Sequence, residues 1–330
     1  MMYQRSTKSG ISQLCNPFLL TLDSSEIQGV LDKKTSMAPN GQTNRLLGYP
    51  ADARLLIVNA DDFGMCHAVN EAIFRVLKDG FVCSTTLMVP CSWVLHATNF
   101  LADNPEIPFG VHLTAISEWV DYRWGPVTAR EKVPSLLDKG LPGQGLPGQG
   151  RYFYDFEQMP EFLAQVRLDQ LEMEFRTQIE TVLAAGLRPT HLDWHCIRIG
   201  GRDDIFRVML RLAREFGLAL RVAGRFWIEK LQSRGFPTND YDFLDSYSLD
   251  PVNKAARYAE LLRELPAGLS EWAVHPGLDN SELLAIEPDG NHIRQTDFDF
   301  LMSEQARDIV REEGIILLDY RNLQAVWKVK

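Results

Sequence analysis

Long apolar runs are the first thing this 330-residue chain lacks. No stretch approaches the roughly 20 consecutive apolar residues of a membrane-crossing helix. The N-terminal segment NPFLLTL is shorter than a signal-peptide core and has no small-residue cleavage site behind a charged start. Membrane insertion and export are therefore not expected. Cysteine is sparse and odd in number: Cys15, Cys66, Cys83, Cys91 and Cys196 form no CxxC pair and no framework spacing. That pattern argues against a disulfide-stapled secreted scaffold and suits a reducing, cytoplasmic setting. Positive charge is also short, with 34 Lys and Arg against 44 Asp and Glu and a formal net charge of -10. A nucleic-acid or anionic-membrane binder needs a basic face, so small, polar or metal-bearing partners are expected instead. A homodimer is compatible with this composition.

What the chain does have is 45% hydrophobic and 24% charged residues, enough for a large core in one α/β barrel or two ordinary domains. Residues 1–49 are rich in Ser, Thr, Gln, Asn and Lys without a sustained period, and read as a poorly ordered or loosely docked extension. From Arg54 onward short apolar runs alternate with amphipathic stretches, the signature of βα units on a parallel sheet. Strands are expected at 54–60, 82–89, 108–113, 188–193, 218–223, 270–275 and 314–319. MCHAVNEAIFRVLKDG reads as a helix with Val69, Ile73, Val76 and Leu77 on one face and Gly80 as its stop, and RLDQLEMEFRTQIETVLAAG as another, through Leu168, Leu171, Phe175, Ile179 and Leu183. About seven βα units fit a deformed (β/α) barrel over 50–330. The one repeat, LPGQGLPGQG at 141–150, has the composition of a flexible insertion.

The polar residues gain meaning from their positions. LLIVNADDFG ends an apolar strand on two adjacent carboxylates, Asp61 and Asp62. Like charges side by side at a buried strand end repel and are costly to desolvate, so something nearby must offset them. His112 ends the third strand in PFGVHLT, His191, Asp193 and His195 end the fourth in PTHLDWH, and His275 ends the sixth in EWAVHPGLD. In a parallel barrel all strand C-termini open on one rim, so these side chains converge there. A divalent cation held by one carboxylate and two imidazoles would offset the pair and leave positions open for water and substrate. One aspartate is then a ligand and its neighbour a base. Spacing alone does not choose between His191 and His195, which share one side of the strand together with Asp193.

In order and spacing, NADDFG, GVHLT, THLDWH and VHPG resemble the YdjC/ChbG-type carbohydrate deacetylases, relatives of the polysaccharide deacetylases, from about Leu47 to the C-terminus. The resemblance implies a deformed (β/α) barrel and a divalent metal held by Asp62, His112 and His195; an Asp/His site accepts magnesium or zinc, and also manganese or cobalt. It further implies Asp61 as general base, His275 as general acid and an N-acetylated sugar as substrate. His191, Asp193, Trp194 and Arg198 would contact substrate or support the ligands from behind. Many members carry further histidines after the position of His195, where this chain has Cys196, Ile197 and Arg198.

Other readings are weaker. Asp61 and Asp62 could cap the helix that follows. DFG at 62–64 is the kinase magnesium tripeptide, but no HRD loop and no glycine-rich phosphate loop accompany it. A glycosidase needs carboxylates on opposite sides of the bond, which adjacent residues rarely provide. Metal-dependent hydrolysis of another ester, amide or phosphate bond, and a sugar-binding barrel without turnover, remain the alternatives. Trp119, Trp124 and Trp194 offer flat faces to sugar rings or simply pack, and His67, His96 and His292 have no strand-end placement.

Overall fold

Residues 42–119, 121–138, 150–197, 199 and 201–329 are described by a computed structural model of the protein. Most of the N-terminal extension, the LPGQG pair up to residue 149, and Arg198 lie outside them.

Among the described residues eight strands form one sheet: β1 (Arg54–Phe63), β2 (Ser84–Leu87), β3 (Phe109–Leu113), β4 (His191–Trp194), β5 (Ala219–Leu220), β6 (Leu244–Asp245), β7 (Gly268–Val274) and β8 (Ile316–Leu317). Every pairing is parallel. The order is β5-β4-β3-β2-β1-β7-β6, with β8 also on β1. β7 runs beside β1 from Arg54 to Ala60 and takes one edge. The other edge is shared, β8 pairing at Leu55 and Leu56 and β2 from Asn59 onward. All seven expected strands are present. β6 was not expected, because two residues with no apolar run around them give no periodic signal.

At the gap between the end strands β5 and β6, the segment just before β6 links the chain after β5 to β7 through Asn239 and Asp240. Asn239 donates from Nδ2 to Val222 O at 2.7 Å and accepts from Val222 N at 3.3 Å. Its neighbour Asp240 donates its N–H to Leu269 O and accepts from Leu269 N, both at 2.8 Å. Backbone groups beside this gap are thus satisfied, and the sheet curves as a deformed barrel whose end strands β5 and β6 do not pair.

Helices cover the outside. His67–Lys78 buries Val69, Ile73 and Val76, with Leu77 half-buried at the edge of that face, and Leu168–Ala184 buries Leu171, Phe175 and Ile179. Each such side chain contributes roughly 1.5–3 kcal/mol. The second helix also buries two polar residues. Glu174 accepts from the N–H groups of Val127 and Thr128 at 3.0 and 2.9 Å. Gln178 accepts from Thr114 N at 3.0 Å and donates to Thr114 O at 2.7 Å. These bonds fix the two ends of the loop after β3, which lies at the strand C-terminal rim. Residues 42–49, grouped above with the extension, instead include the helix Gln42–Leu47, which is anchored on the barrel: Thr43 N donates to Asp240 Oδ1, and Asn44 Nδ2 to the carbonyls of Pro50 and Ala53.

Candidate metal and catalytic site

Adjacent residues of a regular strand point to opposite faces. Asp61 and Asp62 do not, because the β1–β2 register slips between Ala60 and Phe63, so that the two aspartates oppose the single residue Thr86. Asp62 takes a left-handed φ of 69°, which Asp tolerates better than most residues. This bulge turns both carboxylates toward the barrel mouth.

Parallel pairing supplies the rest. His112 on β3 stands beside Asp193 on β4, and His112 Nδ1 lies 2.7 Å from Asp193 Oδ1. Asp193 Oδ2 also accepts from Thr86 Oγ1 at 3.0 Å and pairs with Arg221 at 2.9 Å, so at the Oδ1 contact Asp193 accepts and His112 Nδ1 donates. His112 Nε2 is left facing Asp62 Oδ1 at 3.4 Å. His195, at the bend after β4, approaches the same oxygen with Nδ1 at 3.1 Å. One atom each of Asp62, His112 and His195 lies within 4.8 Å of the others, and all three residues are buried. Two imidazole nitrogens on one carboxylate oxygen match a divalent cation's donor preference.

The like-charge problem at Asp61 and Asp62 has a different solution from the one expected. Two buried arginines face them. Arg221 grips Asp61 with Nη1 2.7 Å from Oδ2 and Nη2 2.9 Å from Oδ1, while Nε pairs with Glu271 at 2.6 Å. Burial alone would raise Asp61, but Arg221 holds it well below the usual carboxylate range. Burial opposes ionisation of Asp62 as well, and Arg294, 2.9 Å from its Oδ2, with His112 and His195 outweighs it. A cation is therefore not needed to offset the pair. What it would offset is a surplus that remains, since Asp61, Asp193 and Glu271 share Arg221, and Asp62 and Glu287 share Arg294. The imidazoles answer the same charge: burial works against a charged His112, yet Asp193 and the aspartate pair push it up to about 10. For His195, burial is likewise outweighed, by Cys196, Glu118 and Asp62, and it lies well above its ordinary value.

His275 follows β7 and faces Asp61, its Nε2 4.0 Å from Oδ2. Ser246 Oγ donates to Asp297 Oδ2 at 2.6 Å, so at its 2.8 Å contact with His275 Nδ1 it accepts the ring's proton. Asp297 is itself held by Lys254 and Tyr258.

The remaining expected residues divide. Asp193 supports His112 directly. His191 is fully buried, flat against Tyr320 with centroids 3.6 Å apart, and Thr190 Oγ1 lies 2.9 Å from its Nδ1, so it contacts no substrate. Its ring fills the space a side chain at Gly110 would occupy. Trp194 is half-buried between Phe206 and Phe243. Trp119, Tyr122 and Trp124 form an aromatic group beside His195, whose ring lies 5.6 Å from Trp124.

His67 and His96 do come together, with Glu71, on the surface. Asn70 decides their chemistry. Its Oδ1 accepts from Gly64 N at 2.7 Å, so its Nδ2 faces His96 Nδ1 at 3.2 Å and that nitrogen must accept. The proton of a neutral His96 then sits on Nε2, the atom turned toward Glu71. The two imidazole rings stack with centroids 5.3 Å apart.

Sequence reading missed Arg221, Arg294 and Glu118. Arg221 had a usable signal, a charge at the end of the apolar run LALRV, the same placement that marked the histidines.

Fold and site together define a (β/α)-barrel protein with an Asp–His–His donor set at its carboxyl rim. Comparison narrows the class: the model of the YdjC-like protein family matches residues 55–312, and the chain belongs to that family. A carbohydrate deacetylase of Clostridium beijerinckii is 27% identical over 269 residues, covering 81% of this chain and 99% of the relative. A chitooligosaccharide deacetylase of Yersinia enterocolitica is 32% identical over 172 residues, 51% of this chain and 59% of that protein. A crystal structure from Enterococcus faecalis V583, of a protein named for cellobiose-phosphate cleavage, superposes with a TM-score of 0.69 at 28% identity, covering 82% of this chain and 99% of that one.

Proposed function

We propose that the protein is a metal-dependent carbohydrate deacetylase that hydrolyses the amide of an N-acetylated sugar. The observation that carries this reading is the convergence of His112 Nε2 and His195 Nδ1 on Asp62 Oδ1 beside an independently held carboxylate, Asp61, and imidazole, His275. Family membership and relatives named for carbohydrate and chitooligosaccharide deacetylation supply the substrate class.

Asp62, His112 and His195 would hold the cation, zinc, magnesium, manganese or cobalt. Bound there, it supplies Lewis acidity toward a carbonyl oxygen and lowers the pKa of water. Asp61, kept ionised and fixed in direction by Arg221 and by Asn59 Nδ2 at 2.7 Å, accepts the proton of the attacking water. As the carbon–nitrogen bond breaks, the proton that Asp61 took from the water passes through His275 Nε2, 4.0 Å from Asp61 Oδ2, to the departing amine, and both groups return to their starting state. Ser246 and Asp297 hold its other nitrogen, so the ring presents Nε2 to the site. Each positioned proton transfer is worth roughly 10²–10⁴-fold in rate. Trp119 and Tyr122, half-buried beside His195, provide the apolar face on which a sugar ring stacks. Four free cysteines among the described residues fit a reducing, cytoplasmic setting. Among those residues no helix is long and apolar enough to cross a membrane.

The test is acetate release from N-acetylated mono- and disaccharides, with phosphorylated disaccharides in the same screen, after supplementation with each cation. Acetate formed by the wild type and abolished by Asp61→Asn supports the reading. Release of phosphate or free sugar without acetate would replace it with hydrolysis of another bond. Binding without turnover, unchanged in Asp61→Asn, would replace it with a sugar-binding role.

A further inference from the structure

Resting on the cation site proposed above, the structure assigns to Glu118 a role nothing else gives it: we infer that Glu118 is the positioning residue that fixes the tautomer and orientation of His195. Glu118 lies in the loop after β3 whose ends Glu174 and Gln178 tie down. His195 Nε2 is 3.4 Å from Glu118 Oε2, while Nδ1 at the other side of the ring is 3.1 Å from Asp62 Oδ1. Glu118 Oε2 and His195 Nε2 are both buried and have no closer hydrogen-bond partner. A potential donor and an acceptor-only carboxylate oxygen therefore face each other across a short gap.

The arrangement repeats, in mirror order, what Asp193 does for His112. There the outer nitrogen is Nδ1 and the inner one Nε2. Here the outer nitrogen is Nε2 and the inner one Nδ1. In both, a carboxylate that takes the outer N–H leaves the inner nitrogen with its lone pair turned to Asp62, the protonation state a ligand requires. Glu118 is itself steered: Cys196, in a left-handed bend with φ 50°, donates from Sγ to Glu118 Oε1 at 3.0 Å. The oxygen left over is the one turned to His195. Because the imidazole ring stands between Glu118 Oε2 and Asp62 Oδ1, Glu118 acts through His195 and not as a ligand of the same ion.

Calorimetric titration of the metal-free full-length protein with Zn²⁺ tests this, using Glu118→Leu, which keeps the volume and removes the acceptor, and Glu118→Gln, whose amide oxygen can still accept from Nε2. Glu118→Ala stands in should the Leu variant fail to fold, as judged by its unfolding midpoint without metal. The expected result is one ion per chain in all, bound about 10–100-fold more weakly by Glu118→Leu and within a few-fold of wild type by Glu118→Gln. Co²⁺ absorption should shift in the Leu variant and return in the Gln variant. Wild-type affinity in Glu118→Leu overturns the inference and leaves the cation site standing. So does complete loss of the ion, as expected for Asp62→Ala, or a second ion in the wild type that disappears with Glu118, since either makes Glu118 a ligand. A wild type that takes up no ion removes the cation site and this inference with it.

Discussion

Replacing Arg221 with Met keeps a long apolar stem and deletes a charge on which three buried carboxylates depend. The guanidinium lies 2.6 Å from Glu271, 2.7 and 2.9 Å from the two oxygens of Asp61, and 2.9 Å from Asp193. Breaking one buried ion pair from one side costs about 3–5 kcal/mol. Because three carboxylates share this cation, the expected loss at pH 8 is at the upper end, about 5 kcal/mol. It should shrink in acid, and the sign follows from Asp61. In the wild type its pKa is depressed, so the stability it contributes is present above the unfolded value of about 3.9 and is lost only as pH falls through the folded value. Without Arg221, burial is opposed only by the weaker pull of His112 and His275 and moves the same group upward, so the variant gains less stability from it as pH rises. Burial already raises Glu271 in the wild type, and it should be the first to protonate. Urea denaturation of both proteins at pH 5 and pH 8 reads the difference directly. A loss below about 1 kcal/mol at pH 8, or one identical at both pH values, would refute the electrostatic account. Arg221→Lys, which keeps charge without the two-pronged geometry, should fall between.

His275→Gln should lower kcat by roughly 10²–10⁴-fold while leaving metal stoichiometry and the unfolding midpoint unchanged; a near-normal kcat would remove His275 as the proton donor. Gly110→Ala should destabilise by about 1–3 kcal/mol in thermal or urea unfolding, because an added Cβ would lie 2.7 Å from the His191 ring, which Tyr320 pins from its other face. Metal uptake at pH 7 should release at least one proton per ion, measured calorimetrically in two buffers of different ionisation enthalpy, since His112 is pushed up to about 10 without metal and must lose its proton to bind. Conversely, the stability that His112 contributes to the metal-free protein is fully present below about pH 6.5 and fades as pH rises through about 10. Zero proton release would contradict that assignment.

The barrel was legible because its strands are apolar runs bounded by helical stretches, and the rim because parallel strands all end on one side. The histidines at 112, 195 and 275 announced themselves as polar residues closing apolar runs. What escaped is what depends on register and rotamer. The bulge at 61–62 leaves no trace beyond the doubled Asp itself. Choosing between His191 and His195 needed the bend after β4, which carries His195 toward Asp62 while His191 stays in the strand opposite Gly110. Arg294 sits inside an ordinary amphipathic helix, Asn291–Met302, where an arginine reads as solvent-facing, yet it is almost fully buried. Glu118 lies in a loop with no period, and only the folded chain brings it to His195.

Two aspartates adjacent in sequence become different reagents because their oxygens are occupied differently. Oδ1 of Asp61 receives both Arg221 and Asn59, while Oδ2 receives one N–H of Arg221 and keeps a lone pair on the side of His275, whose Nε2 is 4.0 Å away. Asp62 gives only Oδ2 to its guanidinium, Arg294, and keeps Oδ1 for the two imidazoles. Lone-pair occupancy, which a sequence cannot display, therefore supports Asp62 as the ligand and Asp61 as the proton acceptor. It also explains why two arginines, and not one, are buried here. A single shared cation would have held both carboxylates alike, whereas separate ones let the bulge present one carboxylate with its lone pair toward His275 and one with an oxygen kept for the two imidazoles.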